Sequence, residues 1–217
     1  MRRTERSFEI CEIFRSLQGE TTMAGLPGRF LRLAGCNLRC RYCDTAYARD
    51  AGTVMSLEAL VAAVGAGDDL VIVTGGEPLL QPGTPDLLRA LCDLGRQVIL
   101  ETNGSLDILG LDPRVHRIVD VKCPGSGEAQ SNRWDNLDDL HAGDEVKLVL
   151  TGREDFDYAL EVASRHDLLG RVPVLLSPAS GYLPPSTLAE WILASGLGLR
   201  LQLQLHRLIW PDRDRSV

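Results

Sequence analysis

The chain has 217 residues, 44% hydrophobic and 24% charged, with a formal net charge of −7. That size predicts one domain, 1–217, closed by a short tail, 212–217. The acidic balance, with no basic run beyond Arg2-Arg3, speaks against a nucleic-acid partner and for a small-molecule substrate.

The amino end, Met1 to Ser7, is charged and leads into a short apolar run, unlike a secretory signal. No window is apolar for long enough to cross a bilayer, so no membrane partner is expected. Six cysteines stand at 11, 36, 40, 43, 92 and 123, three of them clustered. Clustered thiols in a cytoplasmic chain bind metal or do redox chemistry more often than they form disulfides. A cytoplasmic location is the expectation.

In chain order, residues 8–14 alternate as a strand does, with Cys11 as a packing residue. A polar, glycine-containing loop, Ser16-Leu17-Gln18-Gly19-Glu20, follows, and residues 29–33 form the next strand. Cys36, Cys40 and Cys43 come next, on the loop after that strand. A helix is predicted over 56–64, capped by Ser56 with Glu58 in its first turn. The strand 70–74 runs into Gly75-Gly76-Glu77-Pro78, and the helix 84–94 carries Cys92 as a core residue. The strand 97–101 ends in Glu101-Thr102-Asn103-Gly104, and the strand 117–121 leads to Asp120-Val121-Lys122. Residues 103–115 and 124–143 read as irregular or short-helical. The strand 145–150, the helix 155–165, the strand 172–176, a helix over 186–194 capped by Ser186 with Glu190 near, and a strand over 199–205 complete the order.

Strand and helix in alternation predict a parallel sheet with helices outside, either an open doubly wound sheet or a barrel, whole or partial. Function then collects at the carboxyl ends of the strands, where this chain places glycines and polar residues. In the last strand Arg200, Gln202, Gln204 and His206 share one face. That row faces either a barrel interior or solvent, and periodicity does not choose between them.

The cysteine cluster is Cys36-Asn37-Leu38-Arg39-Cys40-Arg41-Tyr42-Cys43. Thiolates on so short a loop can converge on zinc or on an iron–sulfur cluster. A structural zinc site closes with four protein ligands, and neither Cys123 nor any histidine stands at a zinc-finger spacing. Three ligands on a cubane leave one iron open to chelate a small molecule. This spacing, with an aromatic residue before the last cysteine, resembles the motif of the radical S-adenosylmethionine superfamily. Gly75-Gly76-Glu77-Pro78 is similar to that superfamily's GGEP motif.

Further pieces extend the resemblance from Ile13 to Trp210: Gly28-Arg29-Phe30-Leu31-Arg32, Gly35-Cys36-Asn37-Leu38, Cys43-Asp44-Thr45, Thr74-Gly75-Gly76-Glu77-Pro78-Leu79-Leu80, Glu101-Thr102-Asn103-Gly104, Asp120-Val121-Lys122 and Leu203-Gln204-Leu205-His206-Arg207-Leu208-Ile209-Trp210. Together with Ser16 to Glu20 they make the chain resemble the 7-carboxy-7-deazaguanine synthase family of that superfamily. The resemblance implies an open, partial parallel β/α barrel with about six core strands. It implies a carbon–nitrogen lyase of deazapurine and queuosine biosynthesis that contracts the ring of 6-carboxy-5,6,7,8-tetrahydropterin with loss of ammonia. It implies a [4Fe-4S] cluster, S-adenosylmethionine and Mg2+, a flavodoxin- or ferredoxin-like electron donor, and a homodimer.

Residue by residue, it implies cluster ligation by Cys36, Cys40 and Cys43, and a magnesium contact at Thr45. It implies S-adenosylmethionine contacts at Tyr42, Asp44, Gly75, Gly76, Glu77, Lys122 and Ser177. Substrate contacts are implied at Leu17, Gln18, Gly19, Glu20, Arg29, Thr74 and His206, with Arg29 pairing the substrate carboxylate. Cys123 has no role in this scheme. The chain departs from the pattern after Pro211: the family commonly stops there, and here Asp212-Arg213-Asp214-Arg215-Ser216-Val217 follow. Two other readings share parts of these motifs: an activase that makes a glycyl radical on a protein, and a non-enzymatic iron–sulfur or zinc module.

Overall fold

The computed structural model describes residues 7–50, 52–65 and 69–217; the charged amino end with Arg2-Arg3 lies outside the described residues. The elements are β1 (Ser7–Leu17), β2 (Pro27–Leu33), β3 (Thr53–Ser56), α1 (Leu57–Val64), β4 (Leu70–Gly75), α2 (Thr84–Asp93), β5 (Gln97–Thr102), β6 (His116–Asp120), α3 (Asp135–Asp138), β7 (Glu145–Leu150), α4 (Arg153–Arg165), β8 (Val174–Pro178), α5 (Pro185–Ser195), β9 (Leu199–Leu201) and α6 (Leu205–Ile209). They build one sheet in the order β3-β1-β2-β4-β5-β6-β7-β8-β9. From β2 to β9 every neighbouring pair is parallel, while β1 runs antiparallel to β2 and β3. The partial parallel barrel expected from the sequence is therefore the observed fold, with β3 and β9 at its edges.

Alternation sorts the side chains into two layers. Val71, Val73, Val98 and Leu100 point outward beneath α1 and α2, and Val146, Leu148, Leu150, Val174 and Leu176 point outward beneath α4 and α5. On the inner face Phe14, Phe30, Leu70, Ile72, Ile99 and Ile118 pack together, with the Phe14 and Phe30 rings stacked 4.9 Å apart. Each such fully buried aliphatic or aromatic side chain contributes about 1.5–3 kcal/mol. The inner layer fills the lower barrel and leaves the upper half, at the carboxyl strand ends, to polar residues.

Local chemistry explains most element ends. Ser56 caps α1 by accepting from the Ala59 N–H at 3.2 Å, as the sequence suggests. Ser186 does not cap α5: Pro184 is the N-cap and Pro185 opens the helix, where a missing N–H costs nothing. The strand expected over 172–176 begins two residues later, after Pro173, and the expected 199–205 strand stops at Leu201. Gln204 and His206 therefore do not sit on a strand face. Gln204 precedes α6, and His206 lies on it.

Three cysteines lie outside the cluster. Cys92 is buried in the outer core. Cys11 is only half-buried, because the β1–β2 register shifts between Ile10 and Glu12. Cys123 is fully buried in the outer core, and burial pushes its thiol pKa up, so it stays an apolar packing group. Among the described residues, no helix is long and apolar enough to cross a membrane.

Candidate active site

Above the apolar inner layer, the next inward residues of successive strands form a polar ring around a cavity of about 240 Å³: Arg32 on β2, Thr74 on β4, Glu101 on β5, Asp120 on β6 and Lys147 on β7. Lys147 Nζ lies 2.6 Å from Glu20 Oε2 and 3.4 Å from Asp120 Oδ1, and Lys122 Nζ is 2.7 Å from Asp120 Oδ2. Burial alone would lower the Lys147 pKa, but Asp120 and Glu20 raise it well above the ordinary lysine value. Burial likewise opposes ionisation of Asp120, and Lys122 and Lys147 overcome it. Asp120, Lys122 and Lys147 thus hold one another in their charged forms. Arg32 Nε meets Glu12 Oε1 at 2.7 Å, and Gln18 Nε2 donates to Glu101 Oε1 at 3.0 Å.

The cysteine loop forms one wall. Gly35 turns the chain out of β2 with φ 91° and hands it to Cys36, Cys40 and Cys43, all three on the cavity. The loop is packed against the end of β4: Gly76 N–H donates to Leu33 O at 3.1 Å and Glu77 N–H to Gly35 O at 2.8 Å. A Cβ on Gly76 would stand 2.1 Å from Gly35 O and 2.8 Å from Cys36 Cβ, so only glycine allows this approach. Leu38 N–H and Asn103 Nδ2 face Cys36 Sγ at 3.5 and 3.9 Å, donors suited to a thiolate. Tyr42 OH donates to Val149 O at 3.2 Å and ties the loop to β7.

Among the described residues, no three His, Cys, Asp or Glu side chains close on a point that would hold a single metal ion. A structural zinc closes with four protein ligands, whereas a cubane held by three cysteines keeps one iron open. Three cysteines bordering one open cavity, Cys36 and Cys40 half-buried, Cys43 exposed and donors at Cys36 Sγ, fit an iron–sulfur cluster with a free coordination position.

The loop from Leu17 to Glu20 and α6 form the opposite wall. Leu205 N–H donates to Gly19 O at 3.0 Å, and a Cβ on Gly19 would stand 2.5 Å from His206 Nδ1. Gln204 Nε2 donates both to Glu20 Oε1 at 2.9 Å and to Asp44 Oδ2 at 3.0 Å. Thr45 Oγ1 donates to Asp44 Oδ1 at 2.7 Å. One amide thus joins the Glu20 loop to the Asp44-Thr45 turn.

Leu17, Gln18, Gly19, Glu20, Tyr42, Asp44, Thr45, Thr74, Gly75, Gly76, Lys122 and His206 all border this cavity. Three expected residues do not. Arg29 is the strand neighbour of Phe30 and so projects from the opposite face of β2, while Arg32, on the Phe30 face, reaches the cavity. Glu77 is fully buried behind the wall, where its carboxylate accepts from Leu79 N–H at 2.9 Å, Asn103 N–H at 2.6 Å and Thr102 Oγ1 at 3.0 Å. It braces the motif and presents no oxygen to a ligand. Ser177 is buried, its Oγ has no hydrogen-bond partner among the described residues, and Ala179 and Ser180 border the cavity instead.

Arg32 and Lys147 were missed as candidates by sequence reading; Glu101 and Asp120 stand at strand ends expected to line a pocket and Gln204 in the polar row near the carboxyl end, but none of these three was given a role. A lysine inside the apolar run 145–150 is the signal that could have found Lys147, since an inward charge needs a partner.

Residues 30–122 match the model of the Radical SAM superfamily. The chain is 45% identical to a 7-carboxy-7-deazaguanine synthase from Chlorobaculum tepidum over 99% of both chains. It is 40% identical to one from Koribacter versatilis over 96% of this chain and all of that one. The crystal structure of QueE from Escherichia coli superposes with a TM-score of 0.74 at 25% identity, covering 92% of this chain and 95% of that one. Full-length identity at this level, on a fold with the cysteine loop and the glycine turn side by side, means that the chain belongs to the 7-carboxy-7-deazaguanine synthase family of radical S-adenosylmethionine enzymes.

Proposed function

We propose that this protein converts 6-carboxy-5,6,7,8-tetrahydropterin to 7-carboxy-7-deazaguanine and ammonia. The observation that carries the reading is a single cavity bordered on one side by the three cysteines and on the other by Gln18, Glu20, Arg32 and Lys147. When bound, a cluster held by Cys36, Cys40 and Cys43 would supply the electron for reductive cleavage of S-adenosylmethionine, the source of the radical chemistry on the pterin. Membership of the family disfavours the glycyl-radical activase and the non-enzymatic module.

The chain's own residues bind, orient and exclude water. Gly75, Gly76, Lys122 and Ser180, with Tyr42 and Asp44, are assigned to the S-adenosylmethionine side of the cavity. Glu20, paired with Lys147, accepts N–H groups from the amino-pyrimidine edge of the substrate, since a carboxylate with one oxygen on lysine retains further lone pairs. Gln18 and His206 line the same end and fix the ring plane. Arg32, in place of Arg29, takes the substrate carboxylate with the fork of its guanidinium. Thr45, beside Asp44, offers a neutral oxygen to Mg2+, an ion that keeps waters and substrate oxygens as its other ligands. A flavodoxin- or ferredoxin-like donor, a homodimer and a single domain over 1–217 belong to the same reading.

The test is anaerobic turnover of the carboxylated tetrahydropterin by the reconstituted protein with S-adenosylmethionine and a reductant. Deazaguanine absorbance and stoichiometric ammonia are expected. Cleavage of S-adenosylmethionine without either product would sink the reading.

A further inference from the structure

The segment after Pro211 returns to the cavity. Arg213, Asp214, Arg215, Ser216 and Val217 all border it. Arg213 N–H donates to Trp210 O at 3.1 Å, which turns the chain back after α6. Two contacts then fasten it. The Arg215 guanidinium carbon sits 4.4 Å from the centroid of the Tyr47 ring, and Ser216 Oγ donates to Glu12 Oε2 at 3.1 Å.

Both contacts lead to one carboxylate. The other oxygen of Glu12 accepts from Arg32 Nε at 2.7 Å and from Tyr47 OH at 2.8 Å. Glu12 therefore orients Arg32, the phenol under Arg215 and the tail at the same time. That carboxylate does not itself border the cavity. A guanidinium stacked on a ring is held by its face and keeps its N–H donors, which lie in its plane, free for an acceptor. Charge balance points the same way: the protein carries net −7, yet Lys and Arg outnumber Asp and Glu on the cavity wall by seven to five. The surplus favours an anionic ligand in the cavity.

We propose that Arg215, carried on the strap after Pro211, is a second substrate-binding arginine that shares the pterin carboxylate with Arg32. Tyr47, Glu12 and Ser216 are its positioning residues. The inference rests on the reading above that the substrate is a carboxylated pterin.

Equilibrium binding of 6-carboxy-tetrahydropterin tests it, measured on the full-length, cluster-reconstituted protein with S-adenosylmethionine and without reductant, so that no turnover occurs. Arg215→Ala should weaken binding by about tenfold, the scale of one charge-assisted hydrogen bond. Arg215→Lys, which keeps the charge and loses the fork, should fall between. Tetrahydropterin without the carboxylate should bind wild type and Arg215→Ala alike. Unchanged affinity for the carboxylated pterin overturns the proposal. So does an equal loss for both pterins, because a strap that merely covers the mouth would give that result. If wild type binds no carboxylated pterin, the substrate reading fails and this assignment fails with it; if wild type binds it and Arg215→Ala binds it equally, only the Arg215 assignment fails.

Discussion

Arg32 is set by its surroundings before any ligand arrives. Its Nε is taken by Glu12 at 2.7 Å, its guanidinium carbon lies 5.7 Å from the centroid of the Phe14 ring, and its side chain is only 12% exposed. Burial would lower its pKa, and the neighbouring Tyr47 and Glu12 raise it, so the charge is kept. A preorganised, poorly hydrated cation pairs an incoming carboxylate without first giving up water or side-chain freedom. Arg32→Ala should therefore weaken the carboxylated pterin about a hundredfold, the range for loss of a buried charge pair. Arg29→Ala should leave that affinity within about twofold, because Arg29 is on the other face of the strand. The reverse ranking in a binding titration would return the role to Arg29. Both arginines belong to the same short piece of family resemblance, and counting along the motif does not say which one faces inward; the company of Phe30 in the inner layer does.

The 18–26 loop is the element on which the substrate end of the site depends. It is closed on itself by Gln18 N–H to Leu26 O and Gly25 N–H to Gln18 O, both at 2.8 Å. Inside it, buried Thr21 sits at φ 70°, a left-handed conformation that costs a β-branched residue of order 1–2 kcal/mol. The anchor is Glu145, fully buried at the start of β7, which accepts from Thr22 N–H at 3.1 Å, from Thr22 Oγ1 and from His116 Nε2 at 2.8 Å. Burial raises the Glu145 pKa, and the His116 and Thr22 bonds outweigh it, so the folded value lies below the ordinary one. A depressed carboxylate contributes stability above its unfolded pKa of about 4.3, and loses it as pH falls through the lower folded value. Urea unfolding at a series of pH values should show this acid loss in wild type, and Glu145→Gln should lack that part of it. Acid limbs of equal steepness would show that the anchor does not depend on the charge. None of this was visible along the chain: Thr22 and Glu145 are separated by 123 residues, and each alone reads as an ordinary surface residue.

The whole molecule works as a barrel whose lower half is packed and whose upper half is chemical. Ile99 has no exposed surface in the inner layer directly beneath Glu101. Ile99→Ala should cost about 2–5 kcal/mol in urea unfolding, since neighbouring strands prevent the cavity from collapsing. A loss under about 1 kcal/mol would mean that this layer is not close-packed. The sequence by itself determined the chemistry and the frame. Three cysteines within eight residues, the glycine pair and the alternation of strand and helix are local features, carried by spacing and period. The tertiary structure alone decided what faces the cavity. It turned Glu77 inward onto Leu79, Thr102 and Asn103, ended the last strand at Leu201, placed Cys123 in the core and brought the tail to Tyr47 and Glu12. The bonds of Glu77 to Thr102 and Asn103 and the tail contacts join segments far apart in the chain, and such contacts follow from packing, not from local spacing.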